Sequence, residues 1–386
     1  MKKTLIALSL IALSGAASAE VILYGQIKAG VEVAQTKERT NGVTTKDHTK
    51  TQIADFGSRI GFKGTEHLGS GLNAIWQVEQ KTPVSGGGEW GTRDSFIGLE
   101  GESWGKIRAG KLSTQLNDMD AIDPWEYSNS ALGLGMFTRT GERVVSVRYD
   151  SPVWAGFSFN AQYTPRDNQT KGRGSADATG RASDSANANV GALNDTGAYY
   201  AGVNYENSGF FAQYGGAYKR SAYVTSNNRS KSGQAHQVQA GYDANNIFAA
   251  VGYQYTNGWD SLNSYRAALA GESDAYSDST GDYTATGAGR ATDTSPGLKT
   301  HEVAATAAYT FGNVTPRLSY AHGFKGKGAG LTADQRRSTQ YDQVVVGADY
   351  DFSKRTTAMV SAGWLKAGKH DKTETTGGLV GLRHKF

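Results

Sequence analysis

The feature that most constrains the fold is a strict alternation of apolar and polar residues. In residues 156–164 (GFSFNAQYT), every second side chain from Phe157 to Tyr163 is apolar and the residues between them are polar. Successive side chains of a strand point to opposite faces, so this pattern predicts a strand with one apolar and one polar face. Similar rows begin at Tyr199, Phe210, Ile247, Val303 and Val344. The chain is therefore predicted to be all-β.

Alternation alone fits both a soluble β-sandwich and a transmembrane β-barrel. The apolar rows tend to end in Tyr or Phe, as in the aromatic girdles at membrane interfaces, and the polar faces are small or hydrophilic. The low hydrophobic share (38%) and mean hydropathy (-0.50) do not exclude a barrel, because only every second residue of a spanning strand meets lipid. These features favour an antiparallel barrel.

The first 19 residues have the pattern of a secretory signal peptide. Lys2 and Lys3 form a basic start, residues 5–13 are apolar, and Ala17-Ser18-Ala19 supplies a cleavage site. No later run of 18 apolar residues occurs, so no spanning helix is predicted. We expect residues 1–19 to be a signal peptide and residues 20–386 to form one barrel domain.

Short turn-like segments alternate with longer polar segments along the mature chain. Counting the strands between them gives sixteen, starting near Val21 and closing with residues 377–386. Residues 166–196 and 257–299 are long polar segments, and the second is interpreted as a flexible external loop because it is rich in Ser, Thr, Asp, Gly and Ala and has few apolar anchors. Sixteen strands leave an aqueous channel, and short turns on one side with long loops on the other are typical of bacterial outer-membrane barrels.

Several motifs resemble the neisserial PorA/PorB general porins, trimeric porins of Gram-negative bacteria. They include Leu23-Tyr24-Gly25, residues 58–64 (SRIGFKG), 74–80 (AIWQVEQ), 95–99 (SFIGL), 311–317 (FGNVTPR), 341–348 (YDQVVVGA) and 381–386 (GLRHKF). The likeness fades near residues 35–50, 166–196, 221–233 and 257–299. PorA-like and PorB-like chains are not distinguished by these motifs.

The resemblance implies a homotrimeric, 16-stranded porin in the outer membrane. Such a porin lets ions and small hydrophilic solutes diffuse passively, and its third external loop folds inward to narrow the pore. Expected partners are outer-membrane lipid and lipopolysaccharide, the barrel-assembly machinery, which would read Phe386, and host-surface ligands contacted by the external loops.

The segment from Leu112 to Glu142 fits the inward loop. It carries the carboxylates Asp118, Asp120, Asp123 and Glu126, and Pro124 with Trp125 would stiffen it. Composition alone also fits a solvated surface loop. With the resemblance, these four residues become candidates for the acidic side of a constriction, because rings of charge are how pores discriminate ions.

Basic residues on the polar faces of strands could form the opposite wall. Parity places Arg59, Lys63 and Arg148 there, and Arg93 and Arg143 match arginines that family members direct at the pore. A basic wall facing an acidic loop would create a transverse field that separates the paths of cations and anions. The alternative is a set of ion pairs that only holds the loop in place.

Other classes of function receive little support. The net charge of +4 gives no reason to expect a nucleic-acid partner. The seven histidines show no metal-binding spacing and no catalytic cluster is visible, so we expect no cofactor and no enzymatic activity. A barrel hydrolase and a surface adhesin remain as alternatives, which single-channel conductance would separate from a porin.

Overall fold

The computed structural model describes residues 20–40, 42–86, 90–165, 197–224, 230–270, 295–369 and 372–386. The predicted signal peptide (1–19) and the predicted loop at 166–196 lie outside these ranges. The strands are β1 (Glu20–Thr40), β2 (Val43–Lys46), β3 (Lys50–Asp55), β4 (Arg59–Gly69), β5 (Leu72–Lys81), β6 (Ser95–Gly101), β7 (Gly105–Ser113), β8 (Arg143–Asp150), β9 (Phe157–Thr164), β10 (Ala198–Asn207), β11 (Phe210–Val224), β12 (Ser230–Ala244), β13 (Ile247–Ser261), β14 (Gly297–Tyr309), β15 (Val314–Gly323), β16 (Tyr341–Asp351), β17 (Thr356–Ala367) and β18 (Lys372–Lys385).

These segments form one closed antiparallel sheet. β2, β3 and β4 pair in succession with β1, so they constitute a single interrupted barrel strand. The barrel therefore has sixteen strands, as predicted. Pairing of β1 with β18, from Gln26↔Lys385 to Arg39↔Lys372, closes it.

The predicted apolar rows form the outer surface. On β9, Phe157 and Phe159 are exposed, whereas Asn160 and Gln162 on the opposite face are buried inside the barrel. The prediction that the apolar residues face outward and the polar residues face the lumen is thus confirmed on this strand. Among the described residues, no helix has the length and apolar character needed to cross a bilayer.

Connections differ between the two ends of the barrel. At the end that carries the chain's final strand residue, adjacent strands are joined by short turns such as Asn245-Asn246, where both residues have positive φ. Consecutive left-handed residues suit the twist of a hairpin, and Asn tolerates that conformation. Longer connections, including Thr82–Asp94, Thr114–Glu142 and Phe324–Gln340, lie at the opposite end. This asymmetry matches the prediction.

In the described part of the chain, short helices occur only in the long connections. They are α1 (Gln115–Asp118), a 3-10 turn η1 (Ser130–Leu132), α2 (Gly135–Thr138), α3 (Leu262–Ala270) and α4 (Ala333–Arg337). The interpretation of 257–299 as one flexible loop was partly wrong. β13 continues to Ser261, and α3 buries Leu262, Tyr265 and Leu269, because these apolar residues pack inside the barrel mouth.

The interior is not uniformly wet, contrary to the expectation from its polar faces. Inward-facing Gln237, Gln239, Gln254 and Thr300 have no exposed surface. They lie on β12, β13 and β14, where the inward loop packs against the wall and apolar side chains such as Phe137 form a core inside the barrel. Open space is therefore confined to the remaining part of the cross-section.

Candidate functional site: a charged constriction

The connection between β7 and β8, residues 114–142, folds into the barrel, as predicted for the third external loop. Its polar contacts reach strands far away in sequence. Trp125 donates a hydrogen bond from Nε1 to Ser319 Oγ (2.8 Å), and Thr306 Oγ1 donates to the carbonyl of Ile122 (2.6 Å). Gln343 donates to the carbonyl of Ser130 (2.7 Å). These bonds hold the loop across the lumen against β14, β15 and β16.

Glycines in the barrel wall make room for this loop. A Cβ at Gly363 on β17 would lie 1.9 Å from the carbonyl oxygen of Ala131, and one at Gly252 on β13 would lie 2.8 Å from both Ile122 and Phe137. Only a residue without a side chain allows so close an approach. The loop position is therefore encoded partly in the strands that surround it.

Between the loop and the opposite wall lies a cavity of about 710 Å³. Its acidic lining residues are Asp118, Asp120, Asp123, Glu126 and Asp349. Its basic lining residues are Lys28, Arg59, Arg93, Arg139, Arg143, Arg317, Arg383 and Lys385. The sequence-predicted carboxylates thus lie together on one loop, and three of the five predicted basic residues, Arg59, Arg93 and Arg143, line the same cavity.

The other two predicted basic residues are placed differently. Arg148 faces inward on β8 and binds Asp118 (Nη1–Oδ2, 2.6 Å) and Asp150 (Nε–Oδ1, 2.8 Å), so it meets the loop through ion pairs. Lys63 is on the lumen face of β4, four residues beyond Arg59, with Nζ 5.4 Å from the centre of the Tyr24 ring. It is not a lining residue of the cavity.

The acidic residues differ in how far they are neutralised. Glu126 is bound by Lys28 (2.5 Å) and Arg383 (3.2 Å), both from the opposite wall. Asp123 accepts hydrogen bonds from the Tyr127 hydroxyl (2.8 Å) and the Leu134 amide (3.0 Å). Burial raises the pKa of Asp123 to about 6 in spite of these bonds. Asp120 faces the lumen, and the protein atoms that surround its carboxylate, together with the charge of Asp118, raise its pKa.

The basic wall residues are also partly paired. Arg59 lies 3.8 Å from Glu79 (Nε–Oε2), and Arg93 binds the other oxygen of the same carboxylate. Arg143 donates to Asp94 (2.8 Å), and Arg317 binds Asp349 and the carbonyl of Pro124. The ion pairs expected from the second interpretation of the sequence are therefore present, and the transverse field expected from the first stays a prediction.

Sequence reasoning missed five basic residues that line the cavity: Arg139, on the inward loop itself, and four residues on strands. Lys28 alternates with Ile27 and Ala29 on β1, and the same signal is present around Arg317 on β15 and around Arg383 and Lys385 on β18. Parity could have identified the four strand residues. The prediction did not extend to β1, β15 and β18, although a closed barrel brings its first and last strands to the same wall.

The loop is fastened at its C-terminal end by a buried ionic cluster. Arg139 binds Asp260 (Nε–Oδ2, 3.0 Å) and Glu302 (Nη1–Oε1, 2.6 Å), and both carboxylates are at most 1% exposed. Its guanidinium also lies 4.8 Å from the centre of the Tyr265 ring on α3. Nearby, Lys219 binds Glu142 and packs over Trp259. These contacts link the constriction loop to β11, β13, β14 and α3.

Phe386 closes the barrel at its seam. Its backbone exchanges hydrogen bonds with Gly25 (3.0 and 3.1 Å), and its ring lies over the position where Gly25 would carry a Cβ. The ring is on the outer surface and 42% exposed. Its recognition by an assembly machinery stays a prediction. Among the described residues, no group of three or more side chains is arranged to hold a metal ion.

A closed sixteen-stranded barrel with a loop-narrowed, charged lumen defines a channel-forming outer-membrane protein. Residues 28–386 match the family model described as Gram-negative porin, and the chain belongs to this family. It is 50% identical to the major outer membrane protein P.IB of Neisseria sicca and 46% identical to that of Neisseria meningitidis serogroup B, in each case over all of both chains. The resemblance to neisserial porins is confirmed.

Solved porins share the fold at low sequence identity. The anion-selective porin from Comamonas acidovorans has a TM-score of 0.59 at 19% identity, covering 96% of this chain and 100% of that one. The trimer form of OmpT from Vibrio cholerae has a TM-score of 0.59 at 13% identity, covering 95% and 99%. With the family, the barrel identifies an outer-membrane porin, a passive diffusion channel for ions and small hydrophilic solutes.

Proposed function

We propose that the opposed charges of the constriction set the ion preference of this porin. The observation that carries the proposal is the lumen-exposed Asp120 on the same cavity as the wall residues Arg59 and Arg143. A fixed field between them draws cations towards the loop and anions towards the wall. Basic lining residues outnumber acidic ones, eight to five, so we expect a modest overall preference for anions.

The test is the reversal potential across a planar bilayer under a KCl gradient. Arg59→Ser should shift it towards cation preference and Asp120→Asn towards anion preference. Both shifts should be larger in dilute salt, because the Debye length is about 30 Å at 0.01 M and about 3 Å at 1 M. Lys354→Gln, in the exposed turn between β16 and β17, is the control and should change little. Shifts of the same sign for both lumen variants would contradict the opposed-charge model.

The assembly and partners belong to the same proposal. OmpT of Vibrio cholerae is described in a trimer form, and the shared barrel supports a homotrimer here, which would insert into a bilayer with three equal conductance steps. Outer-membrane lipid, lipopolysaccharide and the barrel-assembly machinery are the further proposed partners, with host-surface ligands at the external loops. Lys63 and Arg148 are assigned supporting roles: Lys63 on the lumen wall beyond the cavity, and Arg148 as the counter-ion of Asp118.

The family indicates a channel and not an enzyme. A hydrolase built on a barrel would need a catalytic group close to a substrate site. The charged residues of this cavity are mostly engaged in the ion pairs described above, which leaves no set of residues to which we would assign a reaction. We therefore propose no enzymatic activity and no cofactor.

A further inference from the structure

A ladder of tyrosine and histidine rings runs obliquely across the outer surface of β11 to β14, from Tyr214 in the half of β11 nearer the short turns to His301 near the external end of β14. Tyr214 stacks on His236 (centroids 6.2 Å apart), and His236 stacks on Tyr255 (6.3 Å). Tyr255 and Tyr253 both contact His301 (5.1 and 6.1 Å). Pore conduction does not use these residues, since the strand alternation places them on the outer face.

The histidines of the ladder are held in a defined orientation. The Tyr214 hydroxyl lies 2.8 Å from Nδ1 of His236, and the Tyr253 hydroxyl lies 2.6 Å from Nδ1 of His301. A hydroxyl that donates to Nδ1 leaves the ring proton on Nε2. In this tautomer, each ring presents an Nε2–H donor to the surroundings of the barrel.

The His301 end of the ladder lies at the outer membrane interface, beside two lysines. On β14, His301 is eight residues from Tyr309 in the opposite girdle, roughly 27 Å along a strand, which matches a tilted strand crossing an apolar band about 25 Å tall. Lys299, two residues before His301, is on the same face of β14, and its backbone pairs with that of Lys327. Both exposed lysines therefore lie just outside the ladder. This combination suits a phosphate group.

An apolar groove of about 670 Å³ lies on the same strands, closer to the membrane centre. Its outward-facing floor consists of alanines and one valine, and aromatic and leucine side chains form its sides. These residues are Ala240, Ala249, Val251, Ala305 and Ala307 for the floor and Phe210, Tyr242, Leu318 and Tyr320 for the sides. Tyr320 also donates to Asp342 (2.9 Å), which contacts His322 Nδ1 (2.7 Å). Polar contacts therefore continue from the side of the groove towards the membrane interface.

We propose that the outer face of β11–β15 binds one membrane lipid with a phosphate headgroup. The phosphate lies against the Nε2 atom of His301 and the ammonium groups of Lys299 and Lys327, His236 lies further along the ladder, and an acyl chain occupies the groove. A girdle that only anchors the barrel requires neither paired lysines nor a groove beneath it. This inference rests on the proposed lipid partner and names where that lipid sits.

The test uses two lipids that differ only in the phosphate, dipalmitoyl phosphatidic acid and dipalmitoyl glycerol. Their binding to refolded protein in detergent is measured by native mass spectrometry. The double variant His236→Phe, His301→Phe keeps the ring stack and should lose about tenfold in affinity for phosphatidic acid, equivalent to about 1.4 kcal/mol, but nothing for diacylglycerol. The groove-filling pair Ala249→Phe, Ala305→Phe should weaken both lipids.

The matched control is His384→Phe. His384 lies on β18 at the opposite end of the barrel, and its Nδ1 contacts a hydroxyl, that of Thr356, at 2.9 Å. This variant should bind both lipids like the wild type. Equal phosphatidic acid binding by the wild type and the ladder variant would overturn the proposal.

Two further results would also overturn it. Competition by inorganic phosphate alone would show a free-anion site, and a change in oligomeric state of the ladder variant would show an interface between copies of the chain. Single-channel conductance of the same samples separates this inference from the channel function. If the ladder variant conducts normally and binds lipid like the wild type, the lipid site is contradicted and the channel function is not.

Discussion

At the scale of single residues, Arg139 is the centre of a buried ionic cluster inside the barrel. It neutralises two carboxylates, Asp260 and Glu302, that have almost no contact with water. Removing one partner from a buried ionic cluster leaves uncompensated charge, which costs far more than losing an exposed pair. Arg139 is therefore one of the main contacts that fix the position of the constriction loop.

We expect Arg139→Gln to lower the free energy of unfolding by about 3–5 kcal/mol. The released loop should also increase the noise of the open-channel current. Urea unfolding in detergent and single-channel recording measure the two effects. The control is Arg337→Gln, which removes an exposed pair with Asp334 on α4 and should cost less than about 1 kcal/mol. Equal stability losses in the two variants would show that Arg139 does not fasten the loop.

Asp123 gives the constriction a pH dependence. Because its pKa is raised to about 6, it is ionised at pH 7.5 and mostly protonated at pH 5. Acidification removes a negative charge from the lumen, so the reversal potential should shift towards anion preference between these pH values. Asp123→Asn is neutral throughout and should lack this part of the shift. An identical pH profile for wild type and variant would exclude Asp123 as its source.

At the scale of structural elements, the wall and the inward loop fit each other through small residues. Gly363→Ala places a methyl group 1.9 Å from the Ala131 carbonyl, which cannot yield without moving the loop. Overpacking of this kind costs about 1–3 kcal/mol. We expect a lower unfolding midpoint and an altered conductance. Gly378→Ala, whose Cβ would have its nearest neighbour at 4.0 Å, is the control and should change neither quantity.

The strands were predictable from the sequence because each carries its own period-two signal. The rows starting at Phe157, Ile247 and Val344 all proved to be strands with the expected outer face. The helix α3 was missed, because Tyr265 and Leu269 are anchored by residues of the inward loop and the strands and not by a local pattern. A helix that is stabilised by packing between distant segments is hard to predict from the residue pattern of the helix alone.

The site was predictable where charge and parity coincided. Asp118 to Glu126 form one acidic loop, and Arg59 lies opposite, as the sequence indicated. Which charges pair could not be predicted, because the bond between Lys28 and Glu126 joins residues 98 positions apart in the chain. Such partners are set by the closure of the barrel, which alternation does not specify.

At the scale of the whole molecule, the barrel exposes its apolar face to lipid. Val203 on β10 is 46% exposed, between the outward-facing Tyr199 and Tyr205. Val203→Arg should lower the free energy of unfolding by about 2–4 kcal/mol in lipid vesicles, because it places a charge in the hydrocarbon near the midplane. Val203→Leu should be nearly neutral. Equal stability of the two variants would contradict the assignment of this face to lipid.

The seam between β1 and β18 has a consequence for how the molecule forms. Gln26 pairs with Lys385 and Arg39 pairs with Lys372, so the contacts that complete the cylinder join residues more than 300 positions apart. Contacts between residues so distant along the chain form slowly, because the entropy cost of closing the long loop comes before the contacts stabilise the fold. Until the last strand arrives, β1 presents an unpaired edge that invites aggregation. A nascent chain of this design needs protection along its entire route to the membrane, since its stability as a cylinder arises in the final step.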